Sequence, residues 1–173
     1  MVDKIRIKVA QKAIKMQNMI NINAYMESKE GTYYDDVIYI EFSRGITAQN
    51  GIKTYDTNNS LSFKFNSLGI RELSFGLTEL IETKKTKYTR ISEPKLSGAE
   101  GNKKVLSLGS SEKEGIIKYF INAKQDGNKN IALSFFNYQL QPIADLLKNI
   151  ADLVDDKQFS IQRYIDKQHR GAK

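Results

Sequence analysis

The chain has 173 residues, of which 40% are apolar, so it can bury a sizeable core as one domain or as two fused half-domains. It contains no cysteine, which excludes disulfides, thiol nucleophiles and cysteine-ligated metal centres. Its formal net charge of +7 favours an anionic partner. The single histidine, His169, lies among basic residues close to the end of the sequence, where we expect a solvated side chain and not a catalytic base.

Several motifs that would indicate other functions are missing from the sequence. No segment approaches the roughly 20 consecutive apolar residues of a membrane span. The basic first residues lack the apolar stretch of a signal peptide. Glycine-rich nucleotide loops, Walker-type loops and serine-nucleophile motifs are also missing. We therefore expect an intracellular, cytoplasmic protein that has no enzymatic activity and no cofactor.

The first half of the chain predicts a series of short strands followed by a helix. Residues 1–18 are strongly basic and fit either a strand or a strand followed by a short helix, and we interpret them as a basic N-terminal arm. Alternating or short apolar runs predict strands over residues 20–26, 37–43, 52–56 and 61–65, with a loop over residues 45–51 and a turn over residues 56–59. A helix then follows, capped by Asn66 or Ser67. Its apolar stripe is Ile70, Leu73, Leu77 and Leu80.

The second half repeats this order. Strands are predicted over residues 88–92, 105–108, 116–124 and 130–136, with connections over residues 94–102 and 109–115 and a hairpin at Asp126-Gly127. Pro142 suits the first turn of a second helix. The apolar stripe of that helix is Leu140, Ile143, Leu147, Ile150 and Val154. Residues 157–173 are expected to be a basic tail that is ordered only in part.

The two halves match each other at an offset of 70 residues. The shared residues alternate along a strand and are then spaced as on an amphipathic helix, which predicts that they form the core. The strand residues Leu61, Phe63 and Phe65 fall on Ile131, Leu133 and Phe135, and the helix stripes coincide. We predict an α+β fold with an internal β-β-β-β-α duplication, two four-stranded antiparallel sheets and two helices. The single domain would cover residues 19–156, with halves at 19–83 and 84–156.

This duplicated order, with its basic charge and aromatic strands, resembles the Whirly family of single-stranded DNA-binding proteins and the related trypanosomal mitochondrial RNA-binding proteins. The local similarity lies in the run from Asn59 to Leu80, where a strand passes directly into a helix, and in the strand 118–122, hairpin and closing helix. Together the similarity covers roughly residues 20–155. Plant members carry a lysine-glycine-lysine-alanine-alanine-leucine motif, which this chain lacks. The resemblance implies sheets packed crosswise against the helices, tetramers in which the helices meet, and single strands bound over outward sheet edges.

Candidate binding residues are cations that alternate with aromatic residues on strands. Binding of single strands requires positive charge along the phosphates and flat side chains on which unpaired bases stack. Tyr88 and Arg90 are predicted to share one face of a strand in the basic segment 84–104. Lys53 and Tyr55 lie opposite the apolar Ile52. The full set is Tyr39, Lys53, Tyr55, Lys84, Lys85, Lys87, Tyr88, Arg90, Lys103, Lys104, Lys118, Phe120 and Lys124.

Some of these assignments have alternatives that the sequence leaves open. The strand carrying Phe120 could present the opposite face, which would expose Tyr119 and bury Phe120. Tyr39 could bind a base or pack against the other sheet. The basic segment 84–104 could be a solvated loop. Asp35, Asp36 and Glu41 do not suit a metal site, because adjacent aspartates at the entry of a strand point to opposite faces.

We therefore expect a non-catalytic single-stranded DNA-binding protein with limited sequence preference that acts as a homo-tetramer in replication, recombination or repair. An RNA-binding or RNA-annealing protein on the same fold is the first alternative, since stacking does not distinguish DNA from RNA without contacts to the 2′-hydroxyl. A structural protein-interaction domain is the second.

Overall fold

A computed structural model describes residues 5–28, 30–31, 33–47, 51–85, 89–92, 102–126 and 129–171, with the side chains of residues 89–92, 169 and 171 excepted. Two antiparallel sheets and two helices form an α+β fold. Sheet 1 has the order β1-β2-β3-β4, and sheet 2 the order β5-β6-β7-β8 with β5 only four residues long. The elements are β1 (Ile5–Lys15), β2 (Met19–Ser28), β3 (Asp35–Thr47), β4 (Lys53–Phe65), α1 (Ser67–Thr83), β5 (Thr89–Ser92), β6 (Lys104–Lys113), β7 (Ile116–Gln125), β8 (Lys129–Phe135) and α2 (Asn137–Gly171).

One apolar cluster joins the inner faces of both sheets to both helices. The residues shared by the two sequence halves are all buried, which confirms that the repeated pattern is the core pattern. On β3, for example, Ile38, Ile40 and Phe42 face inward, as the alternation predicts. Removal of such side chains typically costs about 2–5 kcal/mol.

The two helices contact each other directly. Ser74 in α1 donates a hydrogen bond of 2.7 Å from its Oγ to the carbonyl of Ala144 in α2, its equivalent at the 70-residue offset. At the surface, the Arg71 guanidinium bridges the carboxylates of Asp152 and Asp155. The hydrogen bond from Arg71, with a further one from Lys148, lowers the pKa of Asp152. The apolar stripes in the sequence predict which side of each helix is buried. The ion pairs depend on how the two helices are aligned, which the stripes do not predict.

The two helices begin differently. Asn66 caps α1, since its Oδ1 accepts from the Gly69 N–H at 2.9 Å, and this confirms one of the two predicted caps. The second helix begins at Asn137, after Phe136, whose backbone N–H donates to Oε1 of Gln139 at 2.9 Å. Pro142 therefore lies in the second turn of α2 and not in the first, so that assignment was wrong.

The ends of the chain are more regular than the sequence predicts. Residues 5–15 form strand β1 along the edge of sheet 1, with no helix following, so the interpretation of residues 1–18 as an arm was wrong for this part. Its basic residues occupy exposed positions of an edge strand. The second helix continues to Gly171 through most of the expected tail. Ile161 packs against the core and Gln158 donates to the Tyr34 carbonyl at 3.0 Å, which holds this extension in place.

Strands β3 and β4 extend through the predicted loop and turn. The first runs on to Thr47, and the second spans 53–65 with a shift in register between the pairs Arg44–Asp56 and Phe42–Leu61. The predicted turn still forms where the register shifts, because the Asp56 carboxylate accepts hydrogen bonds from the backbone and side chain of Asn59. The Asn59 side-chain bond is the main cause of the lowered pKa of Asp56.

A two-residue turn joins β6 to β7, where the sequence predicted a longer loop. Glu114 and Gly115 both have positive φ, 53° and 75°, as type I′ hairpin turns require. Glycine meets this requirement without strain, whereas glutamate does not. The β6 strand therefore continues to Lys113, and the interpretation of residues 109–115 as a loop was wrong for most of its length.

Glu114→Asn should stabilise the protein, because asparagine tolerates positive φ better than glutamate does. We expect the free energy of unfolding in urea to rise by about 0.5–1 kcal/mol. Glu112→Asn makes the same charge change on the adjacent strand, where φ is not positive, and should give no gain. An equal gain from both variants would indicate a charge effect and contradict the conformational explanation.

Candidate nucleic-acid interface

The outer face of sheet 2 carries aromatic and cationic residues along its central strand, β7. Tyr119 is only 2% exposed and faces the core with Ile121, whereas Lys118, Phe120 and Lys124 alternate on the outer side. The alternation continues through β8, where Leu133 is buried and Ser134 exposed. The first of the two orientations considered for this strand is therefore the one that the structure adopts.

Phe120 lies over small residues of the two neighbouring strands. Its cross-strand neighbours are Gly109 on β6 and Ser134 on β8. A Cβ added to Gly109 would come within 2.5 Å of Cζ of Phe120, so the far end of the ring covers the glycine. Lys118 and Lys124 are exposed along the same strand. A flat apolar ring thus lies between two cations on an otherwise shallow surface.

A basic hollow adjoins this face near the β7–β8 hairpin. Its volume is about 540 Å³, and Lys103, Lys124 and Lys129 line it together with one acid, Asp126. Sequence reasoning had selected Lys103 and Lys124 but missed Lys129. The position of Lys129 at the start of the strand that follows the Asp126-Gly127 hairpin signal was the available clue, because hairpin geometry brings the ends of both strands together. We name the surface formed by Lys103, Lys118, Phe120 and Lys124 the β7 face.

The edges of the two sheets meet where β3 and β4 lie close to β7 and β8, and side chains from each half bond to the backbone of the other half. Lys129 and Lys104 donate from Nζ to the carbonyls of Ser60 and Ser62 on β4, at 3.3 and 3.2 Å. In the opposite direction, the Arg44 guanidinium donates to the Asn130 carbonyl at 3.1 Å, and the Asn18 amide to the Ala132 carbonyl at 2.7 Å. These bonds satisfy edge carbonyls and tie the sheets together.

Lys104 therefore has a structural contact in addition to any role in binding. It is half-buried and shares the row of Gln125 and Lys129 across sheet 2. Lys103, its neighbour in the chain, is exposed and lines the hollow. Adjacent lysines of the predicted set thus point to different sides of the sheet.

Tyr39 lies on the outer face of sheet 1, in a cluster that the sequence did not indicate. Its ring meets that of Tyr25 edge to face, with centroids 6.3 Å apart. The Arg6 guanidinium lies 4.8 Å from the Tyr25 centroid and 5.8 Å from that of Tyr39. Arg6 also pairs with Glu27 at 2.5 Å, and Glu27 is only 3% exposed. Pairing in the sheet places Lys64 opposite Tyr39, which adds a cation beside these rings.

Lys53 and Tyr55 lie at the far end of sheet 1 on the extended β3–β4 hairpin. The Tyr55 hydroxyl donates to the Met16 carbonyl at 2.9 Å, and Gly45 N–H donates to Oδ1 of Asn18 at 2.9 Å. The hairpin thereby packs on the β1–β2 turn. Tyr55 is held in place by this bond, and Lys53 is exposed beside it.

The remaining predicted residues of the basic segment 84–104 are not brought together in the described part of the chain. Lys84 ends α1 in a left-handed conformation, with φ of 58°, and its N–H donates to the Leu80 carbonyl. Lys85 is exposed directly after it. The backbone of Arg90 pairs with Leu106, while its side chain, together with Lys87 and Tyr88, lies outside the described residues.

Two of the three acidic residues considered for a metal site have structural partners. Glu41 accepts hydrogen bonds from the amides of Asn21 and Asn23, both at 3.3 Å, and Asp36 accepts from the backbone of Ser67 at the start of α1. Among the described residues, no group of three or more histidine, cysteine or acidic side chains could hold a metal ion. In the same part of the chain, no helix is both long and apolar enough to cross a membrane.

Lys104→Ala should destabilise the protein, because it removes the bond to the Ser62 carbonyl. We expect a loss of about 0.5–1.5 kcal/mol in the free energy of unfolding, measured in urea. Lys124→Ala removes the same charge from the outer face of the adjacent strand and should change stability by less than about 0.5 kcal/mol. Equal losses in the two variants would show that the edge contact contributes nothing specific.

Known proteins match this chain in structure but not in sequence. No protein-family model matches the sequence, and no curated protein matches it. Solved structures do match. They include "Crystal Structure of WHY1 from Arabidopsis thaliana", with a TM-score of 0.56, 12% identity and coverage of 87% of this chain and 88% of that one.

Two further structures agree with this match. "Structure of the plant transcriptional regulator PBF-2" has a TM-score of 0.56 and 12% identity, and covers 90% of this chain and 95% of that chain. "Crystal Structure of WHY3 from Arabidopsis thaliana" has a TM-score of 0.56 and 11% identity, and covers 91% and 94%. The chain therefore has a Whirly-like fold.

Proposed function

We propose that this protein binds single-stranded nucleic acid, with DNA as its ligand, on the β7 face and without catalysis. The observation that carries the proposal is Phe120, whose ring covers Gly109 and which lies between the exposed cations Lys118 and Lys124. The sequence resemblance to a family of single-stranded DNA-binding proteins supports it, as does the Whirly-like fold.

The chemistry of the β7 face suits unpaired bases. Stacking of a base on an aromatic ring typically contributes about 1–3 kcal/mol and tolerates every base, since each has a π-face. A duplex keeps its bases stacked inside, so it would gain the phosphate contacts of the lysines but not the contact with Phe120. The basic hollow beside the face would hold phosphates of the same strand.

The proposed biological role follows from this mode of binding. Stacking and phosphate contacts do not depend on base identity, so sequence preference should be limited. A protein of this kind would coat or protect single strands during replication, recombination or repair.

We also propose that the protein assembles as a homo-tetramer through its helices. The resemblance implies such an arrangement. Exposed apolar side chains support it, since Leu68 and Phe75 on α1 and Leu153 on α2 are each more than half exposed in the single chain. Contact between these surfaces of neighbouring copies would leave the outer faces of the sheets available to a ligand.

The two halves of the chain are proposed to be products of an internal duplication. The matching core residues at the 70-residue offset support this, and so does the contact between the equivalent residues Ser74 and Ala144. The residues of the β7 face are not part of the match. Divergence of the outward-facing residues after the duplication would then have produced a binding surface on one half only.

A titration with matched oligonucleotides tests the function. The protein should bind single-stranded DNA more tightly than duplex of the same sequence, and the affinity should fall with salt with a log–log slope of about −0.7 per neutralised phosphate. Phe120→Ala should weaken single-strand binding about tenfold. Phe159→Ala provides the matched control, because Phe159 is an exposed phenylalanine on α2, away from the β7 face.

Binding to duplex that equals or exceeds binding to single strands would overturn the proposal. Tighter binding to RNA than to DNA of the same sequence would support the same binding surface but identify RNA as its ligand. The absence of binding to any nucleic acid in low salt would favour a protein-interaction domain.

A further inference from the structure

Two exposed aromatic residues are stacked on each other where β8 passes into α2. The rings of Phe136 and Tyr138 have centroids 5.9 Å apart and an interplanar angle of 6°. Phe136 is 46% and Tyr138 75% exposed. Two large aromatic side chains held parallel in solvent bury little apolar surface, so packing within the chain does not explain them.

Capping of α2 does not explain these rings either. Phe136 holds the position before the helix that Asn66 holds before α1, and Asn66 accepts a hydrogen bond there. A phenylalanine ring offers no oxygen for that purpose. The bond that does form at this end of α2 joins the Phe136 backbone to Gln139, and it requires no aromatic side chain.

Sheet register places the pair next to the β7 face. Ser134 is the partner of Phe120, and Phe136 follows two residues later, directly after the last residue of β8. The last pair of the ladder is Tyr119 with Phe135, so the aromatic pair begins at the end of the sheet where Lys118, the residue of β7 next to Tyr119, is exposed.

We propose that Phe136 and Tyr138 form a second stacking subsite that receives a base of the same strand held at Phe120. This inference rests on the proposed function. Lys118 would provide a phosphate contact beside the two aromatic platforms, which are Phe120 and the Phe136–Tyr138 pair.

A base is a better occupant of this site than a second copy of the chain. The pair directly follows β8, which borders the β7 face, near the end of β7 that carries exposed Lys118, so its surroundings match a polyanion. The apolar residues proposed for self-association, Leu68, Phe75 and Leu153, lie instead along the helices. The subsite also extends the contact from one base to two, which increases affinity without base-specific hydrogen bonds.

A single-tryptophan reporter tests the subsite directly, because the chain contains no tryptophan. Tyr138→Trp should lose much of its emission when oligothymidine is added, as the base stacks on the indole. Tyr164→Trp is the matched control, since Tyr164 is also an exposed tyrosine, 65%, on the same helix but away from the β7 face. Its emission should not change.

Affinity measurements give a second readout that separates the inference from the function. Tyr138→Ala should weaken binding of a long oligothymidine about tenfold, whereas Tyr164→Ala should leave it unchanged. Unchanged emission of Tyr138→Trp, or full affinity of Tyr138→Ala, in a protein that still binds single strands and depends on Phe120 would overturn the subsite alone. A smaller oligomer for Tyr138→Ala in solution would overturn it in favour of self-association. Failure of the unmodified chain to bind any strand would overturn the proposed function as well.

Discussion

Burial of both inner sheet faces against α1 and α2 is the interaction on which the rest of the structure depends. The apolar cluster includes strands and helices of both halves, so neither sheet has a separate core. Because side chains alternate along a strand, fixing one face in the core fixes every other side chain outward. Tyr119 and Phe120 show the consequence, since burial of the first places the second on the solvent side. The candidate binding surface is therefore a direct result of core packing.

The hydrogen bonds between the edges of the two sheets add a second constraint. Four side chains bond to edge carbonyls of the opposite half, and this both satisfies polar backbone groups and fixes the two sheets relative to each other. Edge strands otherwise offer unpaired groups to other chains. Lys129 takes part in these contacts and also lines the basic hollow, so one residue links the junction of the sheets to the candidate interface.

Local sequence patterns predicted the elements that bury one regular face. The alternation at residues 61–65 and 131–135 and the stripes of both helices were sufficient, because their periods of 2 and 3.6 distinguish strand from helix. The patterns predicted the wrong structure in segments that consist mainly of exposed residues. The basic positions of β1 suggested an arm, and the last turns of α2 suggested a tail, yet Ile161 and the bond from Gln158 to Tyr34 hold the latter against the body. The Glu114-Gly115 turn was missed because glutamate is an unusual residue at positive φ.

The sequence by itself determined the two-part α+β plan, the core residues, the exclusion of cysteine chemistry, and the pairing of Phe120 with Lys118 and Lys124, since all of these depend on composition or on periodicity within one element. Tertiary structure decided which cations share a surface. Lys129 lines the hollow, and Lys104 donates a hydrogen bond to the Ser62 carbonyl. The Tyr55 hydroxyl donates to the Met16 carbonyl, and Tyr39 lies against Tyr25 and Arg6. Tertiary structure also stacked Phe136 on Tyr138 directly after the last residue of β8, which pairs with Tyr119. These neighbours come from strands and turns far apart in the chain, and the register and packing that bring them together leave no local pattern in the residues themselves.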